Sequence, residues 1–181
     1  MTGRILVAYA TKHGSTIEVA EAIAAALRGR GREVDVRPAA DLLGLDGYSA
    51  VVLGGALYMS RYHQDAVRFL KRHRHVLKDM PLAVFAMGPK TIAEAEVAVS
   101  RSQLDRALEA VPELTPATVA IFGGVVDPSK LRFPFKHTPA SDARDWDSIA
   151  DWAYELAEMC GTMSRPCRRE RHPKTRSPLR G

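Results

Sequence analysis

The chain has 181 residues, 46% of them hydrophobic, and a formal net charge of +5. This length and composition suit one globular domain with a full-sized core. No apolar run approaches the roughly 18 residues that a membrane-spanning helix needs, and none has the form of a secretory signal. The only two cysteines, Cys160 and Cys167, are too few for a disulfide framework. We therefore expect a cytoplasmic protein.

The positive charge is concentrated at the carboxyl end. Residues 165–181 contain seven lysines or arginines against the single acidic residue Glu170 and so carry +6, which leaves −1 for the rest. This proline-containing stretch has too few apolar residues to bury a core. We expect a folded domain over residues 1–160 and a basic, disordered tail over residues 161–181. The tail is expected to be solvated or to contact an anionic membrane surface, and no specific nucleic acid is predicted.

Apolar runs alternate with amphipathic segments along the chain, which is typical of βαβ units. The first helix carries apolar residues at helical spacing, and Asp145 is the predicted N-cap of the last helix. The predicted strands cover residues 4–10, 33–37, 50–54, 82–87 and 118–122. The predicted helices cover residues 15–28, 64–77, 101–110 and 146–159. Their predicted buried residues include Val67, Leu70 and Leu77 in the second helix, and Trp146, Ile149, Ala153 and Leu156 in the last.

Five strands and four helices predict an α/β fold with a doubly wound, five-stranded parallel sheet in the order 2-1-3-4-5. Helices on both faces would make it a three-layer α/β/α structure. Ligands of such sheets bind beyond the carboxyl ends of the strands, where the strand order reverses. Three loops then meet there, namely residues 11–16, 54–63 and 88–96.

The first of these loops has the residues of an anion site. Thr11, Ser15 and Thr16 supply hydroxyl groups, and Gly14 lets the backbone approach a ligand closely. A helix N-terminus adds unpaired N–H groups and a partial positive charge. The Gly-Lys-Ser/Thr of a P-loop and the G-x-G-x-x-G dinucleotide fingerprint are both missing. A phosphate site is thus one interpretation, and simple helix capping by the hydroxyls is the other.

The second and third loops have the residues of a site for a planar ring. Gly54 and Gly55 suggest a sharp turn with close backbone approach, and Tyr58 and Tyr62 offer flat faces. The alternative for Tyr58 is a surface aromatic covering the next helix. Arg61 and His63 are interpreted as solvated or helix-capping groups, and the alternative is that they hold a phosphate or tune the electronics of the ring. The third loop is expected to close over the ring through Gly88, Lys90 and Thr91.

Four segments together resemble the flavodoxin-like family, in the branch of menaquinone-dependent protoporphyrinogen IX dehydrogenases. They are A-T-K-H-G-S-T, G-G-A-L-Y-M-S-R-Y-H, I-F-G-G-V-V-D-P and R-D-W-D-S-I-A-D-W-A, and the resemblance covers about residues 4–158. Many flavodoxins have a threonine where His13 stands. The resemblance implies bound FMN, with its phosphate on the first loop, and a cytoplasmic location near the membrane. The residues expected to bind FMN are Thr11, Lys12, His13, Gly14, Ser15, Thr16, Gly55, Ala56, Leu57, Tyr58, Gly88, Pro89, Lys90 and Thr91.

The same resemblance implies an FMN-dependent oxidoreductase that delivers electrons to a quinone. The alternatives are a flavodoxin-type electron carrier and a flavin-free regulator or scaffold. Carriers of this type are strongly acidic, whereas this domain is nearly neutral, which favours the enzyme. No metal site and no catalytic residue are assigned.

The expected partners are a quinone or another redox partner, and a second copy of the chain in a homodimer. Basic and apolar side chains interleave at residues 130–136, which suits docking on lipid headgroups or on a flat anionic substrate. The alternative is a crossover that packs on the sheet edge.

Overall fold

The computed structural model describes residues 3–12, 14–130 and 139–163. The predicted site residue His13, most of the predicted docking stretch 130–136 and the predicted tail beyond residue 163 lie outside them. In chain order the strands are β1 (Arg4–Ala10), β2 (Val34–Pro38), β3 (Tyr48–Tyr58), β4 (Arg61–Tyr62), β5 (Leu82–Met87), β6 (Thr118–Phe122), β7 (Val125–Val126) and β8 (Ser141–Asp142). The helices are α1 (Ser15–Gly29), α2 (Gln64–Leu77), α3 (Glu94–Leu108) and α4 (Trp146–Met163), with short 3-10 turns at Ala39–Asp41 and Pro128–Lys130.

The main sheet confirms the predicted topology. Its parallel strands lie in the order β2-β1-β3-β5-β6, which is 2-1-3-4-5 when only the five long strands are counted. β1 runs between β2 and β3, so that Val7 pairs with Val36 on one side and Val52 on the other. The short strand β4 pairs antiparallel with the end of β3, and β7 pairs antiparallel with β8.

Two hydrophobic cores cover the two faces of this sheet. Ile5 and Val7 of β1 point into the core shared with α1 and α4. Leu6 and Ala8 point into the core shared with α2 and α3. Because successive strand residues face opposite sides, a strand covered on both faces must be apolar throughout. This explains the continuous apolar runs of the sequence and gives the predicted three-layer α/β/α fold.

The third strand is longer than predicted. It continues through Gly54 and Gly55 to Tyr58, although the two glycines indicated a turn. A Cβ atom on Gly54 would lie 2.0 Å from the ring of Phe85, and one on Gly55 would lie 2.6 Å from the ring of Tyr62. The glycines therefore make room for two aromatic rings. The sequence alone cannot distinguish such a glycine from one that forms a turn.

The third helix begins seven residues earlier than predicted, at Glu94 instead of residue 101. Only Ser100 and Leu104 of this helix are buried, so its apolar periodicity is too weak to mark its start. In α2, Phe69 and His73 are buried while the predicted Val67 is half-buried.

Asp145 caps α4 as predicted, because its carboxylate accepts a hydrogen bond from Asp147 N at 3.1 Å. The burial predicted for Trp146, in contrast, is wrong. Trp146 is 44% exposed, and Trp152 fills the core instead. The Trp152 indole meets the rings of Phe85 and Phe122 edge-on at centroid distances of 6.0 and 5.6 Å. Trp146 occupies the first position of the helix, where its ring lies 4.8 Å from the guanidinium of Arg144.

We predict that Gly54→Ala lowers the free energy of unfolding by about 3 kcal/mol, because the added methyl group overlaps the Phe85 ring. The matched control is Gly29→Ala, at a helical position with no heavy atom within 4 Å of the added Cβ. The control should leave stability unchanged or raise it by up to about 1 kcal/mol. Urea unfolding of both variants checks this, and equal midpoints would contradict it.

Candidate functional site

Strand register brings the three predicted loops together at one edge of the sheet. Ala10, the last residue of β1, pairs with Gly55, and Met87, the last residue of β5, pairs with Ala56. The chain that follows β1 and the chain that follows β5 therefore emerge on either side of the extension of β3. This is the carboxyl edge of a parallel sheet, where ligands of such folds bind.

The β1–α1 loop leaves the first turn of its helix without a side-chain cap. Gly14 is the N-cap, with a φ of 95° that suits glycine, and in the part of the chain that the structure describes no side chain caps the first turn. The hydroxyl of Thr11 instead accepts from Gly14 N at 3.0 Å, which fixes the loop itself. The hydroxyls of Ser15 and Thr16 therefore do not cap α1, contrary to the capping interpretation.

Thr16 has the most unusual environment in this loop. It is fully buried, and its Oγ1 has no hydrogen-bond partner within the part of the chain that the structure describes. A buried hydroxyl without a partner costs free energy, so native proteins rarely leave one. Beside the N–H groups of a helix N-terminus, this hydroxyl can complete a site for an anion.

Tyr58 stands at the end of β3 with 40% of its surface exposed. The Nζ atom of Lys12 lies 4.6 Å from the centre of its ring, so the β1–α1 loop and β3 meet here. Arg61 is the residue opposite Tyr58 in the β3–β4 pair. A ring bound against Tyr58 would have cations close by.

A strained turn follows Tyr58. Met59 and Ser60 have φ values of 48° and 61°, the left-handed region that Asn-Gly usually occupies in a two-residue hairpin. This geometry holds Met59 out to solvent at 75% exposure. Strain of this kind is concentrated at binding sites and switch regions. Sequence analysis missed the turn, because Met-Ser carries no turn signal.

Tyr62 is not available to a ligand, contrary to the prediction that it offers a flat face. It is buried at 4% exposure, and its hydroxyl donates to Phe85 O at 2.9 Å. Burial raises the pKa of Tyr62 above its ordinary value. His63 caps α2, with its ring accepting from Asp65 N at 3.3 Å, as the sequence indicated.

The β5–α3 loop, residues 88–93, is held in place by backbone and side-chain contacts. Gly88 N donates to Phe122 O at 3.1 Å, and Gly124 N donates to Pro89 O at 2.8 Å. The Thr91 hydroxyl accepts from Ala93 N at 3.3 Å just before α3. Thr91 is thereby engaged locally.

A cleft of about 470 Å³ opens between this loop, the β3–β4 turn and α3. That volume is within the range of sites for small molecules, about 300–1,000 Å³. The cleft combines apolar and polar groups, and its polar side chains include Ser60, Lys90 and Ser100. Four of the residues predicted to bind a cofactor line this cleft, namely Leu57, Gly88, Pro89 and Lys90.

The structure thus gathers the described members of the predicted site into two neighbouring parts. One is the anion end, formed by Thr11, Gly14, Ser15 and Thr16. The other is the ring end, which comprises the contact of Lys12 with Tyr58 and, next to it along β3, the cleft at Leu57, whose described lining includes neither Lys12 nor Tyr58. Gly55 and Ala56 belong to β3 beneath them. In the described residues, no group of three histidine, cysteine or acidic side chains could hold a metal ion, and no helix is long and apolar enough to cross a membrane.

Comparison with known proteins gives consistent results. The family model described as "Flavodoxin domain" matches residues 6–138. The Escherichia coli K12 protein named protoporphyrinogen IX dehydrogenase (quinone) is 22% identical over 173 residues, covering 86% of this chain and 96% of that protein. Oxidised flavodoxin 2 from Bacillus cereus superposes with a TM-score of 0.56 at 22% identity, covering 86% and 99% of the two chains. Rubredoxin oxygen:oxidoreductase from Desulfovibrio gigas gives 0.60 at 14% identity, with 88% of this chain matching 36% of that one.

We predict that Thr16→Val raises the free energy of unfolding of the ligand-free protein by about 1 kcal/mol. Valine keeps the shape of the side chain and removes the buried, unpaired hydroxyl. Thr115→Val, at an exposed position before β6, is the matched control and should be neutral. Thermal or urea unfolding without ligand checks this, and a destabilised Thr16→Val would mean that the hydroxyl has a partner.

Proposed function

Since this chain belongs to the flavodoxin-domain family, we propose that it is an oxidoreductase that binds FMN and passes electrons through it to a quinone-type acceptor. The family indicates a flavin cofactor. The name of the Escherichia coli relative supports a quinone as acceptor and makes protoporphyrinogen IX the first electron donor to test.

The unpaired hydroxyl of Thr16 is the observation on which this proposal rests. A phosphate at the first turn of α1 would accept from that hydroxyl and from the backbone N–H groups that precede Ile17, whose own N–H already donates to Gly14 O at 3.0 Å. The partial positive charge of the helix N-terminus would favour the same ligand. The residues present therefore fit the phosphate of FMN, with Ser15 and Thr16 as donors and Gly14 leaving the approach open.

The ring end suits the isoalloxazine group in shape and polarity. Tyr58 offers a half-exposed aromatic face, and the cleft beside Leu57 and Lys90 combines apolar walls with polar groups. We propose that these residues, with the backbone of Gly88 and Pro89, hold the ring. FMN, when bound, supplies the two-electron redox chemistry, as cofactors generally do.

The chain's own groups then have three tasks in this proposal. The α1 turn anchors the phosphate and so fixes the position of the ring. Tyr58 covers part of one ring face and excludes water from it. Lys12, whose ammonium already lies over Tyr58, places a positive charge near the ring and stabilises any negative charge that develops there. Docking on a membrane surface through residues 130–136 or the tail, and homodimer formation, remain proposals beside this one.

We predict that the purified chain binds FMN and that Thr16→Val weakens binding about tenfold or more, because a hydrogen bond to a charged phosphate is lost. Quenching of flavin fluorescence measures the dissociation constant, with Thr115→Val as the control. A wild-type chain without FMN binding contradicts the proposal, and an unaltered constant in Thr16→Val contradicts the phosphate assignment.

We predict further that Tyr58→Ala changes the visible spectrum and the reduction potential of the bound flavin. The control is Tyr154→Ala, because Tyr154 is also 40% exposed with a cation, Arg30, at 4.6 Å from its ring, but lies on α4.

After reduction with dithionite, adding menadione anaerobically should restore the oxidised spectrum of the wild type within seconds. A spectrum that stays reduced would contradict the quinone as acceptor.

A further inference from the structure

Arg144 lies in the connection between β8 and α4, far from the candidate site in sequence. Its side chain is only 10% exposed, which is unusual for an arginine on a connecting segment. Nothing in the sequence analysis singled it out as a functional residue. Its contacts, however, reach the first turn of α1.

The guanidinium group of Arg144 is held on three sides. Its Nε and one terminal nitrogen donate to the two carboxylate oxygens of Asp142 at 2.8 and 2.6 Å. Its other terminal nitrogen donates to Glu18, and the indole of Trp146 lies 4.8 Å from the guanidinium carbon. Such a paired, stacked guanidinium has one well-defined position.

Glu18 is the acidic residue of the first turn of α1, two positions after Thr16. An unpaired carboxylate there would oppose a phosphate bound at the same helix N-terminus, since like charges repel. The ion pair with Arg144 offsets part of that charge, because the same guanidinium also pairs with Asp142. The pair therefore allows an acidic side chain and an anion site to share one helical turn.

The segment that carries Arg144 also reaches the ring end of the site. Ala143 N donates to Gly124 O at 3.0 Å, and Gly124 N donates to Pro89 O in the β5–α3 loop at 2.8 Å. A Cβ atom on Gly123 would lie 1.8 Å from Ala143 O, so the two segments are in close contact. A continuous series of contacts thus joins the β5–α3 loop, Arg144 and the α1 turn.

We propose that Arg144 is a positioning residue for anion binding at the α1 turn, which it serves by pairing with Glu18 and fastening that turn to the β5–α3 loop. The inference rests on the proposed function for the identity of the anion, the phosphate of FMN. Arg144 itself does not contact the ligand in this proposal. Replacing Arg144 should therefore change the affinity for the charged phosphate more than the affinity for the flavin ring.

The test compares FMN with riboflavin, which has the same ring but no phosphate. We expect Arg144→Gln to weaken FMN binding about fivefold and riboflavin binding less than about twofold. Adding Glu18→Gln to that variant should restore FMN affinity to within about twofold of the wild type, because the exposed negative charge is removed. Arg74→Gln and Glu113→Gln form the control pair, an ion pair of 3.3 Å at the opposite edge of the sheet.

Glu18→Gln alone gives a second test in case Arg144→Gln does not fold. Glu18 is 60% exposed, so its replacement should leave the fold intact. It should tighten FMN binding and leave riboflavin binding unchanged, since the negative charge of Glu18 is removed while Arg144 keeps its pair with Asp142.

The failure of this inference can be told from the failure of the proposed function. A wild-type chain that binds neither flavin contradicts the proposed function and the inference with it. If the wild type binds FMN, two results would contradict the inference alone. One is that Arg144→Gln weakens the binding of both flavins equally. The other is that the double variant binds FMN as weakly as Arg144→Gln does. An unchanged FMN affinity in Glu18→Gln would likewise overturn it.

Discussion

The arrangement of the candidate site depends on two aromatic rings that occupy the space beside a pair of glycines. Phe85 fills the space over Gly54 on one face of β3, and the Tyr62 ring fills the space over Gly55 on the other. Since no side chain stands at either position, β3 stays paired with β1 as far as Gly55 and with β5 as far as Ala56. Tyr58 is thereby placed beside the β1–α1 loop, and the ring of Phe85 joins the sheet to Trp152 of α4.

Three residues at the carboxyl edge of the sheet lower the stability of the folded protein. Thr16 buries a hydroxyl that has no hydrogen-bond partner among the described residues, and Met59 and Ser60 adopt left-handed backbone conformations without being glycine. Each feature costs on the order of 1–3 kcal/mol, which the two cores on either side of the sheet must offset. All three residues lie at the carboxyl edge of the sheet. Features that lower stability and cluster at one edge are typical of a binding site, and the flavodoxin domain indicates a flavin as its ligand.

Sequence reasoning was most accurate where a pattern is repeated over many residues. The strand β1, the helix α1 and the order of the five long strands follow from apolar runs and helical spacing, and the structure confirms them. It was wrong where one residue type has two physical roles. Gly54 and Gly55 serve packing instead of a turn, Tyr62 donates to the core instead of facing a ligand, and Trp146 is exposed while Trp152 is buried.

The sequence by itself determined the fold class and the two ends of the candidate site, since hydroxyls before a helix and apolar strands are local signals. Only the tertiary structure decided which contacts those groups make. The unpaired state of Thr16, the contact of Lys12 with Tyr58 and the ion pair of Arg144 with Glu18 depend on strand register and helix packing. Arg144 and Glu18 are 126 positions apart in the chain. No local pattern encodes their contact, because it exists only once β8 and α4 have been placed against α1.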